Sequence, residues 1–253
     1  ARADSLKSEA AELMTTLLND PADDLPWQAS DLTDLAAWQT DRKDFTSATS
    51  TLKRAAILTP DNPRIPFQQG LVALNAGRPD EAADHFQQAV NLEPDAPANH
   101  LNPGIARYQA GQLAEAIPAF RQAVALRPEL AAARLLLAQV LAATGSLPEA
   151  EKEYRQVLAQ EPRNAKALRG LGFCRLRAAD YAAAADAYTQ AADADPANAD
   201  GWAGLGSARL GQGDLASAET AFARASAIDP NNIMLKTGTQ LLNQAKNAGK
   251  DNQ

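Results

Sequence analysis

The chain has 253 residues, 45% hydrophobic and only 5% aromatic, with a formal charge of −7 and a pI near 4.9. That balance excludes a broadly basic nucleic-acid surface, and no apolar run approaches the ~20 residues that a membrane span needs. Cys174 is the only cysteine, so no intramolecular disulfide can form.

Alanine is abundant, accompanied by Leu, Gln, Glu and Arg, and few stretches show the β-branched alternation of a strand. Those side chains lose little rotamer freedom in a helix, so an all-α chain is expected. The first residues, ARADSL, lack an initiator methionine and an apolar signal core, which fits either a removed leader or a trimmed boundary. Residues 3 to 19 carry Leu6, Ala10, Leu13, Met14, Leu17 and Leu18 at helical spacing, which predicts an N-terminal capping helix and linker over 1–28. Pro26 extends the proline period described next, but Met14 and Pro21 occupy its alanine places, so this stretch is at best a degenerate repeat.

From residue 29 onward a 34-residue period takes over. Pro60, Pro94, Pro128, Pro162, Pro196 and Pro230 follow one another at that interval. Counting repeats from Ala29, Pro63, Pro97, Ala131, Ala165 and Ala199, the twentieth place is Ala48, Ala82, Ala116, Ala150, Ala184 and Ala218. The eighth place is small (Ala36, Gly70, Gly104, Ala138, Gly172, Gly206), and the twenty-fourth is bulky (Leu52, Phe86, Phe120, Tyr154, Tyr188, Phe222). Small residues let two helices approach while one large side chain fills the gap beside them, so each repeat reads as a helical hairpin. Gly77, Gly111, Gly145 and Gly213 at the fifteenth place supply the turn, and the proline at the thirty-second stops the second helix.

This pattern resembles the tetratricopeptide-repeat family, most closely in GWAGLGSARLGQGDLASAETAFARASAIDPNN at 201 to 232. The resemblance implies a right-handed superhelical solenoid of six helix–turn–helix repeats, at 29–62, 63–96, 97–130, 131–164, 165–198 and 199–232. A C-terminal capping helix is predicted over 233–247, with Ile233, Leu241, Leu242 and Ala245 facing inward, followed by a disordered tail at 248–253.

Little in the sequence points to chemistry. GLGFCR and GWAGLG suggest a phosphate loop, but such a loop follows a strand, and these glycines fall inside a first helix. His85 is expected to be solvated on an outer face, and His100 lacks a metal-ligand partner at helical spacing. Cys174, at a place held elsewhere by Ala106, Val140 and Ala208, reads as a small core residue, and Asp23 and Asp24 lie in a linker. Neither a catalytic constellation nor a cofactor or metal site is expected.

If the hairpins stack as in the family, places two, five, nine, twelve and thirteen of the first helices line a concave groove. The resemblance then places Arg64, Phe67, Leu71, Leu74 and Asn75 there from the second repeat, and Leu101, Ile105, Tyr108 and Gln109 from the third. Leu135 and Gln139 come from the fourth, and Lys166, Arg169, Phe173, Leu176 and Arg177 form a basic cluster in the fifth. Apolar anchors flanked by charge suit an extended peptide or an amphipathic helix of a partner protein. One subclass of the family clamps the C-terminal carboxylate of heat-shock chaperones with Lys and Asn at places five and nine, Asn at place six of the next repeat, then Lys and Arg at places two and six. Asn102 matches one of these, but Phe67, Leu71, Ala132 and Leu136 stand at its partner positions, so that role is not implied.

The resemblance thus implies a noncatalytic adaptor or assembly scaffold of bacterial type, leaning toward a periplasmic or envelope setting over a cytoplasmic one. It also admits the targeting region of a larger enzyme, such as a glycosyltransferase, and a self-associating protein. One residue breaks the pattern: Pro103 takes the seventh place, where Leu35, Leu137, Leu171 and Leu205 fill the core. Either Asn102 caps a helix that starts late, with Pro103 as its first residue, or the proline lies inside a bent helix.

Overall fold

A computed structural model describes Thr16 and residues 28–250, with side chains up to residue 248. The capping helix expected in 1–28 lies, apart from Thr16 and Gln28, outside the described residues. All elements from residue 28 onward are α-helices, and among the described residues there is no strand. They are α1 (Ala29–Asp41), α2 (Phe45–Leu58), α3 (Arg64–Asn75), α4 (Pro79–Leu92), α5 (Pro97–Gln109), α6 (Leu113–Leu126) and α7 (Ala131–Ala143). Then come α8 (Leu147–Gln160), α9 (Ala165–Arg177), α10 (Tyr181–Ala194), α11 (Ala199–Gly211), α12 (Leu215–Ile228) and α13 (Ile233–Lys250). The chain forms two compact bodies, Ala1–Arg127 and Pro128–Gln253.

Every hairpin turn is closed in the same way. After α3, Gly77 N–H donates to Leu74 C=O and Arg78 N–H to Ala73 C=O, at 3.1 and 2.9 Å. These two bonds satisfy carbonyls that the helix end leaves unpaired, and they require a left-handed residue between them. Gly77, Gly111, Gly145 and Gly213 adopt φ of 73°, 78°, 87° and 81°. Lys43 and Ala179 hold the same place with φ of 62° and 57°, although neither is glycine. The next helix starts at once, and Asp44, Asp180 and Asp214 accept the backbone N–H of Ser47, Ala183 and Ser217 as caps.

Second helices end where proline follows. Glu93, Glu161 and Asp195, each just before a proline, are driven from helical geometry to φ between −127° and −142°. The core lies between paired helices. The twentieth-place alanines are fully buried, and the aromatic at the twenty-fourth place lies on the small residue at the eighth. A β-carbon at Gly70 would stand 2.5 Å from Phe86, and one at Gly172 would stand 2.9 Å from Tyr188, so glycine is what permits these rings to enter.

In the C-terminal body a second contact repeats: the same rings meet the sixth-place glycine of the following repeat. Gly170 receives Tyr154, Gly204 receives Tyr188, and Gly238 receives Phe222. This last contact sets the rotation of α13, which buries Leu235, Gly238 and Leu242 while Ile233 and Leu241 are 83% and 50% exposed. The expected inward face at Ile233 and Leu241 is therefore corrected. The helix also runs to Lys250, three residues into the stretch expected to be a tail.

Pro103 lies inside α5 and is buried. The helix starts at Pro97, and Asn102 Nδ2 donates to Ala98 C=O at 3.0 Å instead of capping, which removes the late-start alternative.

Candidate functional site

The first-helix residues expected to bind a partner divide between the two bodies. In the N-terminal body, Phe67, Leu71 and Leu74 are half-buried against a cluster of Ala73, Ala82, Ala83, Phe86 and Ala106. The Phe67 ring meets Phe86 edge-on, with centroids 5.6 Å apart. Much of this apolar surface therefore serves the fold. Asn75 Nδ2 donates to Leu71 C=O of its own helix at 2.8 Å, and Arg64 reaches Asp34 at 3.3 Å. Leu101 and Ile105 are half-buried, Tyr108 is 40% exposed, and Gln109 is exposed. None of these residues lines the cleft of about 480 Å³ in this body, whose walls include Val90, His100, Pro103, Arg107 and Pro118.

In the C-terminal body the structure does gather predicted residues. Gln139 from α7 and Lys166, Arg169 and Phe173 from α9 line one cleft of about 360 Å³. Leu135 is half-buried and lines neither cleft of this body described here, and Arg177 is exposed. Leu176 faces a separate apolar cleft of about 590 Å³ with Tyr181, Leu210, Met234 and Leu241.

Residues not expected at the groove complete the first of these clefts: Tyr154, Gly170, Tyr188, Asp200 and Met234. The tyrosines belong to second helices. They reach this surface because Gly170 and Gly204 offer no side chain to stop them. The signal was present in the sequence, where tyrosine replaces phenylalanine at the twenty-fourth place and glycine stands at the sixth place of the next repeat.

The cleft holds polar atoms without a hydrogen-bond partner. Arg169 is only 19% exposed in its side chain; its enclosed Nη1 makes no hydrogen bond and forms an ion pair with Asp195 Oδ2 at 3.6 Å. Tyr188 Oη is likewise enclosed without a partner. Burial, followed by the nearby Cys174 and Asp200, holds the phenol well above its ordinary pKa, so it remains an O–H donor. Asp200 Oδ1 accepts Asn232 Nδ2 at 2.6 Å. Lys166 is exposed and has no ion-pair partner among the described residues.

Elsewhere, Arg175 is held between Glu151 and Asp180, and Cys174 is buried beneath it. His85 departs from expectation: its side chain is only 25% exposed, Nδ1 is enclosed without a partner, and Nε2 lies 3.8 Å from Glu81. Among the described residues no group of three His, Cys, Asp or Glu could hold a metal ion, and no helix is long and apolar enough to cross a membrane.

The repeating hairpin with its glycine-seated rings matches one known family. Tetratricopeptide-repeat profiles cover residues 67–96, 107–172 and 175–242. The chain belongs to the tetratricopeptide-repeat family. No curated protein sequence matches it. Among solved structures it is similar to PilW, described as a widely conserved type IV pilus biogenesis factor, with 21% identity over 83% of this chain and 97% of that one, at a TM-score of 0.67. It is similar to pilF of Pseudomonas aeruginosa at 15% identity, over 84% and 96% of the two chains, with a TM-score of 0.68. It is also similar to YrrB, described as a TPR protein with an unusual peptide-binding site, at 15% identity over 75% and 97%, with a TM-score of 0.65. These likenesses are of fold. The repeat makes the chain a protein–protein interaction scaffold.

Proposed function

We propose that the chain is a noncatalytic adaptor that holds a segment of a partner protein, an extended peptide or a helix, against the first-helix faces of its repeats, within a bacterial envelope assembly. Six repeats over 29–232 form its frame and the helix from Ile233 caps it. The observation that carries this reading is the cleft of the C-terminal body, where Phe173 offers an apolar floor beside Gln139, Lys166 and the unsatisfied Arg169. Apolar anchors ringed by donors bind peptide, because the ring supplies buried area and the donors fix register. Tyr108 at 40% exposure adds an aromatic contact in the N-terminal body. The peptide-binding site of YrrB and the description of PilW as a type IV pilus biogenesis factor, on the same fold, support this assignment.

Peptides selected from a displayed random library on the intact chain test it. Their affinity is expected to fall at least tenfold with Arg169→Glu or with Phe67→Ala combined with Ile105→Ala, in variants whose circular dichroism and melting match the parent. Affinity unchanged within twofold in both variants contradicts the assignment.

A further inference from the structure

We infer that the apolar cleft between α9, α11 and α13 takes residues 6–18 of a second copy of this chain. The inference rests on the proposed use of the first-helix face and names one occupant for it. The cleft, of about 590 Å³, is built from Leu176, Leu210, Met234 and Leu241, with Tyr181 at its side. Counted from Ile233 as one more step of 34, Met234, Leu241 and Ala245 fall at places two, nine and thirteen, so α13 extends the groove face with apolar residues. Leu241 is 50% exposed there, and Ile233, next to Met234 in the chain, is 83% exposed. A terminal helix of a solenoid ordinarily turns a polar side outward, so an apolar one marks an interface.

The N-terminal sequence supplies a segment that fits. Leu6, Ala10, Leu13 and Leu17 are spaced as one apolar stripe of an amphipathic helix, with Met14 and Leu18 alongside. Residues 1–27 hold six acids, Asp4, Glu9, Glu12, Asp20, Asp23 and Asp24, against Arg2 and Lys7, a net charge of −4. The lining helices have the opposite sign, since α9 and α13 together contain seven basic residues and no acidic one. Neighbouring elements offset part of this: Asp195 pairs with Arg169, Glu151 and Asp180 with Arg175, and Glu219 with Lys246. On α11 Arg209 is countered by the nearby Asp214, and Asp200 adds one more negative charge. Lys166, Arg177 and Lys236 have no ion-pair partner among the described residues and leave this face with a positive surplus, which complements the acidic segment. The segment is joined to the N-terminal body and the cleft belongs to the C-terminal one, so docking between copies needs no particular arrangement of the two bodies. One segment and one cleft per chain let copies join reciprocally as a pair or in a row.

Sedimentation velocity of the intact chain from about 5 to 500 µM follows the association by mass action. The weight-average mass is expected to climb from 26.7 kDa to that of a dimer or beyond. Leu13→Glu combined with Leu17→Glu in the segment, and Leu241→Glu in the cleft, should each hold the chain at monomer mass. Leu241 is exposed enough to be changed without opening the core. An equimolar mixture of the two variants, each keeping one working surface, should restore a complex of twice the monomer mass and no larger. That rescue also shows that both variants are folded. A parent chain that stays monomeric throughout, variants that associate as the parent does, or a mixture that fails to pair overturns the inference. Monomer mass with amide shifts at Leu210 and Leu241 between the parent and the segment variant puts the segment in its own chain's cleft, and overturns it too. Each of these failures leaves the adaptor reading to the library-selected peptides, whose binding is read on the Arg169 and Phe67 variants.

Discussion

The ring of Tyr188 lies so close to Gly204 that a β-carbon at that glycine would overlap three ring carbons. The contact joins the second helix of one repeat to the first helix of the next, and it also carries the tyrosine hydroxyl to the cleft. Gly204→Ala forces the ring to move inside a close-packed core, an overpacking cost of roughly 1 to 3 kcal/mol, offset by about 1 kcal/mol of helix propensity. Net destabilisation of about 1 to 2 kcal/mol is expected in urea unfolding. Gly201→Ala provides the control: its nearest neighbour is Ala192 N at 3.4 Å, an ordinary contact, so this change is expected to be neutral or stabilising by up to about 1 kcal/mol.

Ala179 closes its hairpin at φ 57°, where other repeats use glycine. A left-handed conformation costs a residue with a β-carbon roughly 1 to 2 kcal/mol, part of which glycine returns through its greater freedom in the unfolded chain. Ala179→Gly should therefore raise stability by about 0.5 to 1 kcal/mol, visible as a higher urea midpoint at unchanged slope.

Pro103 removes a backbone hydrogen bond within α5 and lines the cleft of about 480 Å³ beside Pro118. The cleft gives a leucine room at a place where Leu35 and Leu137 are 2% and 3% exposed. Pro103→Leu is expected to stabilise the chain by roughly 1 to 3 kcal/mol through restored burial and hydrogen bonding, measured by chemical denaturation. A loss of stability would mean that the proline is required where it stands.

The period of 34 exposed the hairpins because columns such as Ala48 to Ala218 and Leu52 to Phe222 must repeat wherever two helices meet closely. The same count puts Lys43 and Ala179 at the turn place, where the turn's hydrogen bonds impose the left-handed conformation regardless of the residue present. The candidate cleft was legible only in part. Lys166, Arg169 and Phe173 follow from first-helix places, but Tyr188 belongs to a second helix and arrives through the gap at Gly204, a relation between repeats that counting within one repeat does not show. The exposed side of α13 was misread because the inward stripe is set by the seat of Phe222 on Gly238.

Burial, and Glu151 next, push the Cys174 thiol up to about 11, against the smaller opposing effects of Arg175 and the backbone. Native alkylation by iodoacetamide should be slow and still climb about tenfold per pH unit from pH 8 to 10, while the urea-unfolded chain levels off above about pH 9. Between these values the folded chain binds the extra proton, so this thiol's contribution to stability is complete below about pH 9 and lost as pH rises toward 11. Cys174→Ala should remove that part of the decline, as judged by urea midpoints across the same range.

The proposed adaptor role requires a partner segment to lie on first-helix residues. An amide chemical-shift map of the intact chain, with and without a library-selected peptide, tests it most directly. Perturbations are expected to concentrate on α3, α5 and α9, with the largest shifts around Lys166, Arg169 and Phe173. Shifts concentrated instead on the second helices α4, α6 and α10, with α9 unchanged, would contradict it.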